Sequence, residues 1–163
     1  MFKRKIVTFL ILVGLILTAV LGWSSFRGKM YEYENSETIK QIEMYNLSYE
    51  IKLPNKVPFE EMWLYETNFD KNGEQVTVML MNKNKDTLGI RISNKDFIYE
   101  ADSGQNNIII GKEKNGVLIP DNSGKRILYW NDEGINYEIT YYSKLTPKEI
   151  SKKQLVMMAE SFK

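Results

Sequence analysis

The chain has 163 residues, 43% of them hydrophobic and 26% charged, and contains neither histidine nor cysteine. Without imidazole or thiolate the usual catalytic triads, His-ligated metals, pH switches near neutrality and disulfide staples are excluded, so a hydrophobic core must hold the fold alone. Of the 22 Lys and Arg, three stand at Lys3–Lys5 ahead of any acid, leaving 19 basic against 21 acidic residues in the rest, a balance that argues against nucleic acid and anionic lipid as partners.

Ile6 to Gly22 reads IVTFLILVGLILTAVLG and carries no charge. At ~1.5 Å per residue such a helix reaches about 25 Å, and Phe2 and Trp23 extend it toward the ~30 Å hydrocarbon core of a bilayer. Lys3, Arg4 and Lys5 ahead of it, against Arg27 and Lys29 behind, predict a cytoplasmic N-terminus and an exported remainder. A cleaved secretory signal is the alternative, since Val20-Leu21-Gly22 could satisfy a peptidase. The run is longer than the usual ~7–15-residue apolar region of a signal, lacks Ala-x-Ala and is followed at once by Trp23, which favours an uncleaved anchor. Residues 1–23 therefore read as a basic stub and transmembrane signal-anchor, 24–35 as a juxtamembrane linker, and 36–163 as one extracytoplasmic domain large enough for its own core.

Along that domain, Ser36 reads as the N-cap of a short helix running to about Tyr45, with Ile39 and Ile42 on its inner side. Leu47–Leu53 alternates like a half-buried strand before Pro54 and Pro58. Turn signals at short intervals then predict an antiparallel meander rather than βαβ units. Met62–Phe69 leads through Asn72-Gly73 to Gln75–Asn82, with Val76, Val78 and Leu80 on one face and Thr77, Met79 and Met81 on the other. Thr87–Ser93 places Leu88, Ile90 and Ile92 inward and Thr87, Gly89 and Arg91 opposite. A long polar loop fills 94–107, with one turn of structure expected around Phe97–Tyr99. Ile108–Ile110 and Val117–Ile119 flank a hairpin expected at Asn115-Gly116. Asp121-Asn122-Ser123-Gly124 turns again, and Lys125–Trp130 pairs with Ile135–Tyr142. Thr146-Pro147-Lys148-Glu149 has the form of a capping box opening a last helix, whose Leu155, Met158, Ala159 and Phe162 share one face that must lie on the sheet.

Leu53-Pro54 with Val57-Pro58, Leu128-Tyr129-Trp130, Gly134-Ile135-Asn136-Tyr137, and Leu145-Thr146-Pro147-Lys148-Glu149 with Ala159-Glu160-Ser161-Phe162 follow one another in an order and spacing that carry a resemblance. From about Ile42 to Lys163 the chain resembles the bacterial family designated domain of unknown function 4367, found in membrane-anchored extracytoplasmic proteins, mostly of Gram-positive bacteria. The resemblance implies an α+β fold with a curved antiparallel sheet and a C-terminal helix, and brings no catalytic residues with it. Some members sit behind a cytoplasmic sigma-factor-binding region. Met1–Lys5 leave no room for one, so the regulatory role of those relatives is not expected here.

Asn68-x-Asp70-x-Asn72-Gly73 copies the oxygen spacing of an EF-hand, but Met79 stands where the bidentate Glu belongs, so a hairpin turn is expected instead of calcium. Glu60 and Glu61 could join Glu66 or Asp70 as an acid/base pair, although no spacing enforces it, and solvated carboxylates are expected. Tyr129, Trp130, Tyr137, Tyr141 and Tyr142 crowd adjacent strands. They suit either a glycan or peptide platform or core packing, the latter for Trp130 and Tyr137 beneath the last helix. Asn46-Leu47-Ser48 matches a glycosylation sequon, an accident in a bacterial host. The expected function is a non-enzymatic, membrane-anchored binding or regulatory module acting on a membrane or cell-wall protein. Its possible partner surface is Thr77, Met79, Met81, Arg91 and Tyr142, with no cofactor or metal. A secreted, cleaved binding protein and a carboxylate-dependent envelope hydrolase are the alternatives.

Overall fold

Alternating burial turns seven segments of this chain into one antiparallel sheet. A computed structural model describes residues 28–45, 47–99, 104–120 and 123–163. The expected membrane span Ile6–Gly22, the basic stub, Asn46 of the sequon and the Asp121-Asn122 half of a turn lie outside these residues. Among the described residues no helix is long and apolar enough to cross a membrane. In chain order the elements are β1 (Tyr31–Glu32), α1 (Ser36–Glu43), β2 (Lys56–Val57), β3 (Trp63–Phe69), β4 (Gln75–Met81), β5 (Thr87–Ser93), β6 (Asn106–Ile110), β7 (Lys114–Ile119), β8 (Lys125–Asp132), β9 (Ile135–Tyr142) and α2 (Lys152–Glu160).

The fold is α+β, but a single meander is not what forms. The large sheet runs β3-β4-β5-β9-β8-β7-β6, so the segment after Ser93 crosses to the far edge and the chain returns strand by strand until β9 lies against β5. Burial explains the choice. All but one residue of β5 and five of the eight in β9 are buried, on both faces, and strands of that kind need a neighbour on each side. Cross-strand register fixes the core rows, such as Val76, Ile92, Tyr137, Trp130 and Gly116, or Val78, Ile90, Ile139 and Leu128. Onto this face α2 lays Leu155, Met158 and Ala159, all buried. Phe162, just beyond it, meets Trp130 and Tyr137 edge-on at 4.9 and 5.6 Å between ring centroids, so both aromatics are core residues as expected.

Four local expectations change. Leu47–Leu53 keeps its alternation, with Ile51 and Leu53 buried, but joins no sheet; Leu53 exchanges backbone hydrogen bonds with Lys163, and Pro54 bridges Phe162. Asn115-Gly116 is not a turn. It lies inside β7, and the hairpin closes at Gly111, where φ is +63°. The Ile110 side chain packs over Gly116, where a Cβ would come within 2.7 Å of Ile110 Cδ1 and push that side chain aside. The last helix starts later than Thr146: Ser151 is its N-cap, and a reciprocal pair of bonds with Gln154 forms the capping box. Thr146 is buried instead against β5, its hydroxyl donating to Thr87 O and accepting from Thr87 N, both at 3.2 Å. Finally, Asn35 rather than Ser36 precedes α1, and its side-chain amide donates to the carbonyls of Leu53 and Pro54.

Nor is the linker wholly a tether. Tyr31–Glu32 pair with Lys56–Val57 as a small second sheet, and Tyr33 is buried with its hydroxyl 2.9 Å from Thr38 Oγ1. At the β3–β4 turn the Asp70 carboxylate accepts from the amides of Glu74 and Gln75 at 2.7 and 2.9 Å. Those bonds hold it below the usual carboxylate range and commit to the hairpin the oxygen an EF-hand would offer to calcium.

Candidate functional site

The sheet has a second face, and register places every predicted surface residue on it. One row reads Asn68, Thr77, Arg91, Glu138, Tyr129, Val117 and the next Glu66, Met79, Gly89, Thr140, Ile127, Ile119. Met81 stands opposite Trp63 and Thr87, while Tyr142 closes the β9 end of the face opposite Lys125. Thr77, Met79, Met81, Arg91 and Tyr142 are all half-buried.

This face divides in two. Over β9 and β8 lies the described part of the crossing segment that follows β5, residues 94–99. Asp96 accepts from Asn136 Nδ2 at 3.2 Å, Tyr99 stacks on Tyr129 at 4.5 Å between centroids, and Phe97 sits 4.1 Å from the Arg91 guanidinium carbon. On the same face Ile119 and Ile127 are buried although they point away from the main core. The described part of the crossing segment is therefore a strap, held to β5, β8 and β9 by Asp96, Phe97 and Tyr99.

Arg91 and Glu138 are direct cross-strand neighbours at the margin of that strap. The guanidinium pairs with Glu138 and donates to the Tyr99 hydroxyl at 2.9 Å. The Tyr99 hydroxyl in turn donates to Glu138 Oε2, and Thr140 donates to Oε1 at 2.5 Å. Burial, reinforced by the Glu138 charge, pushes the Tyr99 hydroxyl far above its ordinary value. Burial opposes the Arg91 charge, yet Glu138 and Tyr99 outweigh it and hold the guanidinium above its usual value. Both carboxylate oxygens are thus occupied and the charges cancel locally. The arrangement fastens the strap to the sheet through Arg91 Nη2, while Arg91 Nε is buried without a hydrogen-bond partner.

Over β3, β4 and β5 no strap intervenes among the described residues. Tyr142 lies across Gly89, where a Cβ would meet its hydroxyl at 3.0 Å and Met79 Sδ at 3.4 Å, so the absent side chain seats the ring beside the thioether. Burial, with Glu138 nearby, raises the Tyr142 hydroxyl above its ordinary value, which keeps it neutral. Thr77, Met79, Met81 and the Tyr142 ring form a polarizable, uncharged strip bordered by Trp63, which is 44% exposed. Sequence patterning placed these residues on one face but missed the strap, and with it the separation of Arg91 from the rest. It also missed Trp63 and Gly89, for which Gly flanked by Leu88 and Ile90 in a strand was the available signal. Glu60 and Glu61 are exposed beyond the end of β3, and Glu61 pairs with Lys83 at 2.8 Å. Neither lines the groove that Glu66 lines. Among the described residues no group of three or more His, Cys, Asp or Glu is placed to hold a metal ion.

Searches against family models, curated proteins and solved structures return no match to this chain.

Proposed function

We propose that this chain is a membrane-anchored, extracytoplasmic binding or regulatory module that docks an envelope protein on the open half of its second sheet face. The observation that carries the reading is the strip of uncharged side chains Thr77, Met79, Met81 and Tyr142, half-buried and crossed by no described strap, with Lys125 Nζ 5.6 Å over the Tyr142 ring at its end. Methionine and tyrosine adapt to a partner at modest entropic cost and suit a weak, repackable interface. The uncharged run Ile6–Gly22 supports the anchor, and the resemblance to the membrane-anchored family agrees with it. Tethering confines the domain to a thin layer and raises its effective concentration toward other membrane proteins, so a weak contact suffices.

The test places a photo-crosslinking residue at Thr77 in intact cells. A discrete membrane or cell-wall protein should be trapped, and Met79→Asp with Met81→Asp should abolish the adduct while circular dichroism stays native. Replacing Ile6–Gly22 by a cleavable signal should weaken trapping. If the released domain instead turns over an envelope substrate, and one Glu or Asp substitution stops turnover without unfolding it, the module reading fails and a carboxylate hydrolase replaces it.

A further inference from the structure

The sheet is unprotected along β3. Among the described residues that strand pairs with β4 only, and no backbone group of Trp63–Phe69 bonds outward to another segment. Beside it, between β3 and α1, runs a groove of about 600 Å³. Of the seven large apolar side chains most exposed among the described residues, Met44, Tyr45, Trp63 and Tyr65 line this one groove. Inside it the Thr67 hydroxyl is buried without a hydrogen-bond partner. The rim is acidic on both sides: Glu34 and Glu37 at the α1 side and Glu66 on the Met79 side, none of them paired with a cation among the described residues.

We infer that this groove receives an extended, basic segment of a partner protein, which adds to β3 as an eighth strand. An open strand edge offers a row of backbone donors and acceptors, and flanking pockets select alternate side chains. Seven regular residues at ~3.3 Å each would cover about 23 Å; β3 carries one irregularity, a register shift between Leu64 and Glu66 that leaves Tyr65 without a partner on β4, so the added strand pairs mainly along Glu66–Phe69. Alternate side chains of an added strand point to the two faces, so apolar groups meet the exposed aromatics while Lys or Arg on either face reaches Glu66 or Glu34 and Glu37. A second copy of this chain is the poorer occupant, because pairing β3 with β3 brings Glu66 and Glu37 of both copies together. The inference rests on the module reading and names its mode of recognition.

The experiment uses the full chain in non-ionic detergent, with a heptapeptide alternating valine and lysine as probe and one alternating valine and glutamate as control. Amide exchange across Trp63–Phe69 should slow by roughly tenfold at saturating lysine peptide and remain unchanged with the glutamate peptide. Glu37→Lys with Glu66→Lys, both exposed sites, should weaken the lysine peptide about tenfold, as loss of two surface ion pairs implies, and added salt should weaken it further. Absence of protection at β3, equal protection by both peptides, or protection that grows with protein concentration alone overturns strand addition. Any of these beside an intact crosslink from Thr77 sinks strand addition only; loss of the Thr77 crosslink as well sinks the module reading.

Discussion

Arg91 shows how much one register position decides. Its row partner Glu138 is 7% exposed, so Arg91→Ala strands a carboxylate beneath the strap. With the Arg91 side chain itself 30% exposed, the loss should fall somewhat short of the roughly 3–5 kcal/mol of a fully buried pair, measured by urea unfolding, and Arg91→Met with Glu138→Leu should recover part of it. Asp132 makes a second charged prediction. Burial pushes its carboxyl up, but Lys114 at 2.7 Å and Lys52 at 3.1 Å outweigh burial and hold it below its ordinary value. A folded-state value lowered in this way contributes stability that is full above the ordinary value, near 3.8, and is lost as pH falls through the lowered one. The melting-temperature gap between the parent chain and Asp132→Asn should therefore be widest near neutrality and close toward pH 3. At the core, Phe162→Ala removes the ring between Trp130 and Tyr137 and should cost about 3–5 kcal/mol, against under ~0.5 for exposed Lys152→Ala. Equal melting temperatures for the two would refute the packing of α2 on the sheet.

At the scale of elements, competition between look-alike signals decides the helix start. Ser151→Ala should cost about 1 kcal/mol through the lost cap, whereas Thr146→Val, at a site that resembles a capping box, should act through the buried bonds to β5 and leave helix content unchanged by far-ultraviolet dichroism. The local grammar of Thr146-Pro147-Lys148-Glu149 was legible, but its use was not, because the partner at Thr87 stands far away in sequence. Asn115-Gly116 misleads in the same way: the pair has turn chemistry, yet it lies inside β7 with Ile110 packed over Gly116, and Gly111, at positive φ, makes the turn. Strands β4 and β5 were readable to the residue or nearly so because their alternation is a local property. The neighbourhood of β5 and β9 was not, since pairing between strands so far apart leaves no local trace. The candidate surface was readable as a face and unreadable as two halves, for the strap is polar, aperiodic and recognisable only by what it covers.

For the whole molecule, Tyr31–Glu32 pairing with β2 and the Gln154 side chain donating to Lys29 O at 3.1 Å make residues from Lys29 onward part of the folded unit. A fragment from Gly28 to Lys163 should melt cooperatively with the same midpoint as the domain in the full chain, whereas one from Ser36 should melt lower, because it discards β1 and buried Tyr33. The adjacency of β5 and β9 also sets a timetable. Synthesis at ~5–20 residues per second delivers β5 several seconds before β9, and in that interval Leu88, Ile90 and Ile92 stand along an open strand edge, a ready template for wrong partners. The half-made chain is thus its own most adhesive species. A newborn molecule gains by staying extended, whether held by a chaperone or threaded through a pore, until the last strand arrives to close the seam.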